Sequence, residues 1–352
     1  MFGFPSYPSF QVFLTIFISM ALTMILLPLW IRILRFRQIG QQIRADGPQR
    51  HLVKQGTPTM GGIIILLAIL LCVMLLSRPV TGPELARLLL LAFATLACGL
   101  VGLIDDLSKV VKERSLGLRP NAKMITLTTV SVAFTLIAVN FGGIAPTISF
   151  PWIATIDLGV LSTRLMIGAT EFVIPWLYLI FVFLLMVGMA NSVNLTDGLD
   201  GLASGSVMIS MAVMSAIAYR ADQFNTALFA GAACGACIGF LWFNSYPASI
   251  FMGDTGSLSL GAAFAAIAVV TKAEVISLLV GGIFIIEAMS VIIQVAYFKL
   301  TRKRVFLMAP VHHHFEQIGW TENKIVIRFW IITALSASVG FAWFFSQSTQ
   351  VM

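Results

Sequence analysis

Ten apolar runs, each about as long as a bilayer-spanning helix, constrain this chain more than any other feature. They lie near residues 10–34, 61–77, 85–104, 122–140, 172–190, 200–219, 225–243, 256–271, 275–298 and 326–346. About 20 mainly apolar residues cross the hydrocarbon core of a bilayer as a helix. Only 11% of the residues are charged, against roughly 25% in a soluble domain, so a water-soluble fold is excluded. The sequence therefore predicts an all-α integral membrane protein, a bundle of about ten transmembrane helices in a single domain over residues 1–352.

Basic residues are unevenly distributed between the two sides of such a bundle. If the connections between spans are numbered from one to nine, the odd-numbered ones carry seventeen Lys and Arg residues. The other side carries five, which are Arg78, Arg87, Arg164, Arg220 and Lys272. Because loops rich in Lys and Arg stay in the cytoplasm, the odd connections are predicted to be cytoplasmic and both termini to face outward. Topology and lipid headgroups then account for the net charge of +7, and no nucleic acid partner is expected.

A polar connection at about residues 141–171 faces outward in this topology. The segments Pro146 to Pro151 and Thr155 to Asp157 have the composition of short extended strands. The sequence therefore predicts a small periplasmic β-hairpin between the fourth and fifth spans.

The fifteen carboxylates of the chain separate into two groups by their position relative to the apolar runs. Nine lie in loops or at span ends, where solvation accounts for them: Asp46, Glu84, Glu113, Asp157, Glu171, Asp222, Glu274, Glu316 and Glu322. Six are unusual: Asp105, Asp106, Asp197, Asp200, Asp254 and Glu287. An ionised carboxylate at membrane depth is unfavourable and normally faces a cavity or a partner. These six are therefore the candidates for a functional role.

Five of the six lie in three motifs on the cytoplasmic side. Asp105 and Asp106 follow the third apolar run, and adjacent like charges usually hold a cation or share a proton, although a polar helix end is the alternative. In the segment Asn194 to Gly201, polar residues recur every three positions among glycines that suit close approach to a ligand. Helix capping would explain one aspartate there, but not both. Asp254 precedes a helix between glycines, as a cap or as a metal ligand beside a phosphate-attracting helix N-terminus.

Three of the four histidines lie together in the segment Met308 to Glu316, within the ninth connection. A histidine run is typical of zinc sites, but no Cys or further His stands at metal-ligand spacing. The acidic motifs suit a hard, oxygen-preferring ion, so the histidines are predicted to contact or position phosphate, with zinc as the alternative. Glu287, inside the ninth span, has no partner nearby in the sequence. A buried structural role and a catalytic role both remain open for it.

These polar motifs fall on four different connections, yet the topology places all of them on one face. Lysines are interleaved with them at positions 54, 109, 112 and 123. Carboxylates that bind Mg²⁺ beside lysines that bind phosphate oxygens are typical of phosphoryl transfer. The sequence therefore predicts a phosphoryl-transfer site at the cytoplasmic face.

At these motifs the chain closely resembles the polyprenyl-phosphate N-acetylhexosamine-1-phosphate transferases, and within them the muramoyl-pentapeptide branch. The matching stretches are Lys54 to Gly62 (KQGTPTMGG), Asp105-Asp106, Asn194 to Gly201, Asn244 to Gly256 and Met308 to Glu316. The aspartate pair is common to the superfamily. The triple histidine and the GTPTMGG segment are specific to the muramoyl branch. Between residues 107 and 123 the correspondence is looser, and the match of Lys123 with the family's fourth-helix lysine rests on that region.

The resemblance implies the substrates, the cofactor and the location. Undecaprenyl phosphate would attack the β-phosphate of UDP-N-acetylmuramoyl-pentapeptide, and the products would be lipid I and UMP. Mg²⁺ is the implied cofactor, and the implied location is the bacterial inner membrane, with the active site facing the cytoplasm. The expected partners are the two substrates and membrane lipid, with a homodimer as an open option.

The resemblance also implies roles for single residues. Asp254 would be the Mg²⁺ ligand, Asp105 the base or nucleophile acting on the lipid phosphate, and Asp106 a support. His312 and His313 would act on phosphate or nucleoside as part of the catalytic set. The remaining substrate-binding set comprises Lys54, Thr59, Lys109, Lys123, Asn194, Asp197, Asp200, Asn244, Phe251, Ser257 and His314.

Three other functions are compatible with a polytopic membrane protein. A transferase for UDP-N-acetylglucosamine is the nearest alternative. A secondary transporter would place its acidic residues near mid-span, where only Glu287 lies. A non-catalytic scaffold of the cell-wall machinery would leave the five clustered aspartates unexplained.

Overall fold

The computed structural model describes residues 7–40, 56–111, 117–150, 152–168 and 170–347 of the chain. Its architecture is a bundle of helices with two small β-hairpins. The helices are α1 (Pro8–Phe36), α2 (Gly62–Leu76), α3 (Gly82–Val111), α4 (Pro120–Asn140), α5 (Trp176–Thr196), α6 (Leu202–Arg220), α7 (Phe224–Asn244), α8 (Gly253–Val270), α9 (Glu274–Val280), α10 (Gly282–Thr301), α11 (Val311–Gln317) and α12 (Glu322–Gln347). The predicted all-α membrane fold is confirmed.

Nine helices in the described part of the chain are long and apolar enough to cross a membrane. The second predicted span, α2, is apolar but has only 15 residues, about 22 Å at the usual helical rise. The ninth predicted span is interrupted: α9 ends at Val280, and α10 begins at Gly282 after a break at Gly281. The ten predicted spans therefore all appear as apolar helices, and two of them are irregular.

Helix α8 lies at the centre of the bundle, where every residue from Thr255 to Val270 is buried. Its sequence is rich in Gly, Ala and Ser. In a bilayer there is no hydrophobic driving force between helices, and small residues stabilise helix packing by letting the backbones approach closely. At Gly102 of α3, a Cβ atom would lie 2.2 Å from the carbonyl oxygen of Asp254. This contact brings α3 directly against the first turn of α8.

The outward connection contains two antiparallel hairpins instead of the single predicted one. Strand β1 (Thr147–Phe150) pairs with β2 (Ala154–Asp157), and β3 (Ser162–Ile167) pairs with β4 (Thr170–Pro175). The second hairpin takes residues 172–175, which were predicted to begin the fifth span. Phe, Val and Ile are common in strands as well as in spans, so the apolar run continues unbroken from β4 into α5.

Two helices are longer than predicted at the end that carries the polar motifs. Helix α3 continues past residue 104 to Val111, about 45 Å in all, so its last turns extend beyond a hydrocarbon core of about 30 Å. Helix α5 continues through Asn191–Thr196, which were predicted to be a loop. Asn191, Ser192 and Thr196 bond back to carbonyl groups four residues earlier, so these polar side chains stay compatible with the helix.

The expectation that Glu274 is solvated is wrong. Its side chain is fully buried at the start of α9, where Oε1 lies 2.7 Å from Nζ of Lys272 and accepts a hydrogen bond of 3.2 Å from the hydroxyl of Tyr178. Lys272 also donates to the carbonyl oxygens of Ala145 and Thr147. The β1 hairpin thus covers this span end and removes the carboxylate from water.

Candidate active site

Asp106 joins α3 to the first turn of α8. Its Oδ1 accepts a hydrogen bond from the backbone N–H of Asp254 (3.1 Å). Its Oδ2 accepts bonds from the N–H (3.0 Å) and the hydroxyl (2.7 Å) of Thr255. Both oxygens are therefore bound to the unpaired N–H groups at the helix start, where negative charge is favourable. Asp106 caps α8 from another helix.

Gly253 makes this cap possible for two reasons. Its φ is +74°, in the left-handed region that favours glycine. A Cβ atom at Gly253 would also lie 2.6 Å from Oδ2 of Asp106. A side chain at this position would therefore strain the backbone and displace the capping carboxylate.

Asp254 lies beside Asp106 and makes side-chain contacts with two lysines and an amide. Its Oδ1 is 3.1 Å from Nζ of Lys109, and its Oδ2 is 2.8 Å from Nζ of Lys123. Asn194 donates to Oδ1 of Asp254 (3.0 Å) and to the hydroxyl of Ser257 (2.8 Å). Residues from α3, α4, α5 and α8 thus meet at one carboxylate.

Asp105 completes the cluster and also holds the chain that follows α3. Its Oδ2 is 2.7 Å from Nζ of Lys109. Its Oδ1 accepts a hydrogen bond of 2.7 Å from the backbone N–H of Leu118. The carboxylate is almost completely buried.

Asp105, Asp106 and Asp254 form a group that could hold a metal ion. One oxygen from each carboxylate can be chosen so that all three lie within 4.8 Å of one another. Three carboxylates face two ammonium groups, so the cluster keeps an excess of one negative charge. Carboxylate oxygens are the ligands of hard divalent cations, and the donor set therefore fits such an ion.

Asp197 lies in the turn after α5 and is half-buried. Burial raises the pKa of its carboxyl well above the usual range, and repulsion from Asp254 and Asp106 raises it further. Asp197 is therefore within the electrostatic field of the cluster, although it is outside the group of three that could share an ion.

The segment that includes Thr59 is fixed to the residues just before α8. The N–H of Phe251 donates to the carbonyl of Pro58 (2.8 Å), and the N–H of Gly61 donates to the carbonyl of Phe251 (2.9 Å). Thr59 is buried beside Gly253. Lys54, predicted to bind the nucleotide, lies outside the described residues.

Asp200 and Asn244 brace two neighbouring loops. Oδ2 of Asp200 accepts from the N–H of Ala248 (2.9 Å), and its own N–H donates to Oε1 of Glu322 (2.8 Å). Oδ1 of Asn244 accepts from the N–H of Gly201 (3.1 Å), and its Nδ2 donates to the carbonyl of Ile250 (3.0 Å). Their predicted contact with substrate stays a prediction.

The three histidines lie on α11, and each has its Nδ1 atom close to a different polar group. For His312 the group is Oε1 of Glu287 (3.1 Å), and for His313 it is Oε2 of Glu316 (2.6 Å). For His314 it is the backbone N–H of Leu307 (3.2 Å). His312 is fully buried, unlike the other two. Glu287 is thus buried and lies against a histidine.

Two contributors to the site were not singled out in the sequence. Thr255 binds Asp106 through both its backbone and its hydroxyl. Glu322, expected to be solvated, accepts the N–H of Asp200. The position of Thr255 directly after Asp254 was the available signal for the first; the second depends on a contact across 122 residues, which no local pattern indicates.

Two regions of the chain match models of known protein families. Residues 88–272 match the family described as glycosyl transferase family 4. Residues 54–66 match the phospho-N-acetylmuramoyl-pentapeptide-transferase signature 1.

Several curated relatives carry the name phospho-N-acetylmuramoyl-pentapeptide-transferase. The one from Rubrobacter xylanophilus is 42% identical over 96% of this chain and 98% of its own length. Those from Shouchella clausii and Halalkalibacterium halodurans are each 44% identical, over 92% and 93% of this chain and 94% and 95% of their own lengths. The similarity therefore spans nearly all of the chain.

Proposed function

We propose, from the premise that this chain belongs to the phospho-N-acetylmuramoyl-pentapeptide-transferase family, that it transfers phospho-N-acetylmuramoyl-pentapeptide from its UDP-linked donor to undecaprenyl phosphate. The products are lipid I, a precursor of peptidoglycan, and UMP. An oxygen of the acceptor phosphate forms a new bond to the β-phosphorus of the donor. The bond from that phosphorus to the oxygen retained by UMP breaks.

The observation that carries this proposal is the meeting of Asp105, Asp106 and Asp254 with two lysines at the projecting end of α3. A charged lipid headgroup and a soluble nucleotide can both reach a site at a membrane boundary. Lysine ammonium groups bind phosphate oxygens, and clustered carboxylates bind the cation that accompanies a diphosphate. Both requirements of phosphoryl transfer are present within one cluster.

On the donor side, Asp254 is the proposed ligand of Mg²⁺, with Asp105 and Asp106 beside it. When bound, Mg²⁺ neutralises the diphosphate and stabilises UMP as the leaving group. Asp106 keeps the first turn of α8 in place, since its two oxygens hold the N–H groups there. Lys109 and Lys123 are the proposed phosphate ligands, because their ammonium groups already lie at the cluster.

On the acceptor side, Asp105 is the proposed base, or nucleophile, for the lipid phosphate. It lies two turns before the end of α3, where a membrane-embedded acceptor would present its headgroup. A phosphate monoester has a second pKa of about 6, so much of the acceptor is already ionised at neutral pH. Proton removal by Asp105 is then needed only for the fraction of the acceptor that still carries its proton.

The proposed location of this site is the cytoplasmic face of the bacterial inner membrane. The seventeen-to-five distribution of basic residues supports that orientation. A cytoplasmic UDP-sugar and an inner-leaflet lipid phosphate could both reach the cluster there. The homodimer stays a prediction, and the molar mass of the detergent-solubilised protein would test it.

The direct test is an assay of the purified full chain with undecaprenyl phosphate and each of two UDP-sugars. With UDP-N-acetylmuramoyl-pentapeptide and Mg²⁺ we expect UMP and a lipid-linked product, and with UDP-N-acetylglucosamine we expect none. Removal of divalent cations by EDTA should abolish turnover, and added Mg²⁺ should restore it. A lipid-linked product formed only from UDP-N-acetylglucosamine would reassign the chain to the other branch of the superfamily.

Asp105→Asn is the informative variant, and Glu84→Gln is its matched control. Glu84 is an exposed carboxylate at the opposite end of the same helix. Asp105→Asn should lower turnover on the order of 100-fold or more, as the loss of one electrostatic contact at a reacting centre commonly does. Glu84→Gln should retain wild-type turnover. Equal losses in both variants would indicate a general effect of altering α3 instead of a role at the site.

A further inference from the structure

Glu287 is fully buried on a helix that is largely exposed. On α10 its neighbours Ile286, Met289 and Ile292 have 44–58% of their surface exposed, whereas Glu287 has none. A carboxylate turned inward in this way loses its hydration, which is strongly unfavourable unless a partner compensates.

The compensating partner is His312 of α11, which is also fully buried. Nδ1 of the imidazole lies 3.1 Å from Oε1 of the carboxylate. Within the described part of the chain, neither the nitrogens of His312 nor the oxygens of Glu287 make a hydrogen bond, so the 3.1 Å approach of Nδ1 to Oε1 is a close contact between the two groups without hydrogen-bond geometry. The two side chains therefore depend on each other.

A second residue on the same face of α10 fastens the segment that leads into α11. Gln294 lies seven positions after Glu287, two helical turns along. Its Oε1 accepts the N–H groups of Val305 (3.0 Å) and Phe306 (2.9 Å). Its Nε2 donates to the carbonyl of Phe306 (3.2 Å). Glu287 and Gln294 together hold the histidine-bearing segment against α10.

The other edge of the His312 ring faces the turn that carries Asp197. A Cβ atom at Gly198 would lie 2.3 Å from Nε2 of His312. The backbone next to Asp197 thus rests on the imidazole. A continuous line of contacts runs from Glu287 through His312 to the loop of residues 197–201.

We propose that Glu287 and His312 form a buried positioning pair that seats the 197–201 loop, and with it Asp197, beside the aspartate cluster. His312 then acts through Gly198 and does not touch the substrate. This differs from the resemblance to the family, which implies that His312 acts directly on phosphate or nucleoside. This inference rests on the proposed function only in that it assigns the 197–201 loop a role in the transfer reaction. The line of contacts itself does not depend on it.

A double variant separates positioning from simple stabilisation. Replacing one member alone leaves the other buried and unpaired, which is destabilising, whereas replacing both by apolar residues is often neutral. Glu287→Met and His312→Leu should therefore each lower the unfolding temperature, and the double variant should recover most of it. If the pair positions the loop, kcat of the double variant should stay on the order of 10- to 100-fold low, as for the loss of groups that orient functional residues.

Donor binding and loop mobility give readouts that a merely structural role would not move. Because His312 does not contact the donor in this proposal, Glu287→Met and His312→Leu should change the donor KM by the same factor, and kcat should fall in both. Amide exchange at residues 197–202 should be faster in the double variant, although its unfolding temperature is normal. Glu287→Gln, which keeps the shape of the side chain, should retain part of kcat.

Gly198→Ala tests the same contact from the opposite side. Its methyl group would meet Nε2 of His312, so the variant should reproduce the changes in kcat and in the donor KM that the double variant shows. Gly188→Ala is the matched control, because a Cβ atom at Gly188 meets nothing within 4 Å. It should retain wild-type turnover and wild-type amide exchange.

Three results would overturn the proposal. A folded double variant with full kcat would make the pair purely structural. A large rise in the donor KM with His312→Leu, absent with Glu287→Met, would make His312 a substrate ligand. Unchanged amide exchange at residues 197–202 in both Gly198→Ala and the double variant would break the line of contacts. If the wild-type chain formed no lipid-linked product, the proposed function would be refuted. Amide exchange at residues 197–202 would still test whether Glu287 and His312 position the loop.

Discussion

Asp106 and Asp254 are neighbouring carboxylates with different partners, and this difference predicts different mutant behaviour. Asp254→Asn leaves the cap of α8 intact but removes the charge that faces Lys109 and Lys123. We expect turnover to fall on the order of 100-fold with the unfolding temperature nearly unchanged. In Asp106→Asn the amide must turn an N–H group toward one of the backbone donors. Turnover should fall, and the free energy of unfolding should decrease by about 1–3 kcal/mol.

The two variants are compared by thermal unfolding and by a Mg²⁺ titration of turnover. Glu84→Gln again serves as the control for removing a carboxylate from α3. If raised Mg²⁺ rescues Asp106→Asn and its unfolding temperature is normal, Asp106 is a metal ligand and the capping role is wrong.

At the scale of single residues, the sequence predicted best where chemistry is concentrated in rare residue types. Asp105, Asp106 and Asp254 stood out because carboxylates are few and lie beside apolar runs, and they do form one cluster. Thr255 and Glu322 did not stand out, because threonine and exposed-looking glutamate are common. Their roles come from contacts between distant segments.

At the scale of helices, the approach of α3 to α8 fixes the geometry of the cluster. A methyl group at Gly102 would lie 2.2 Å from the carbonyl oxygen of Asp254, and a backbone atom cannot yield as a side chain can. Gly102→Ala should therefore push the two helices apart. We expect a loss of about 1–3 kcal/mol in the free energy of unfolding, as for other overpacked sites, with a marked fall in turnover.

Leu100→Ala is the control for Gly102→Ala, because Leu100 is a neighbour on α3 with 56% of its surface exposed. It should change both the unfolding temperature and turnover little. Normal turnover in Gly102→Ala would show that the cluster tolerates a wider separation of α3 and α8.

Helix existence was predictable from the sequence, and so were both ends of α4, α6 and α7 to within two residues, but the ends of α3 and α5 that carry the polar motifs were not. Apolar length reports where a chain crosses the bilayer, but α3 and α5 continue beyond it on polar residues. The break at Gly281 and the second hairpin likewise lie inside stretches that read as continuous apolar or polar sequence. The burial of Glu274 depends on a hairpin folding over it, which no local pattern encodes.

At the scale of the whole molecule, the distribution of basic residues predicts which face is cytoplasmic. Single cysteines replacing the exposed residues Ser245 and Gln317 should react with an impermeant maleimide only in inside-out vesicles. A cysteine at Glu171, on the second hairpin, should react in intact spheroplasts. The four native cysteines are buried, so background labelling should be low. Labelling of Ser245 and Gln317 positions from outside would invert the proposed orientation.

The two lysines at the cluster have a thermodynamic consequence. Before any cation arrives, Lys109 and Lys123 supply the positive charge that faces Asp254. An incoming Mg²⁺ competes with them, and an incoming diphosphate offers them a new partner. The diphosphate draws the lysines away from Asp254, which favours Mg²⁺ binding, and Mg²⁺ displaces the lysines from Asp254, which favours diphosphate binding. The two ligands should therefore bind cooperatively, each raising the affinity of the other. Calorimetric titration should show the donor tightening Mg²⁺ binding by the same factor as Mg²⁺ tightens the donor, with a uridine nucleoside lacking phosphate indifferent to the ion.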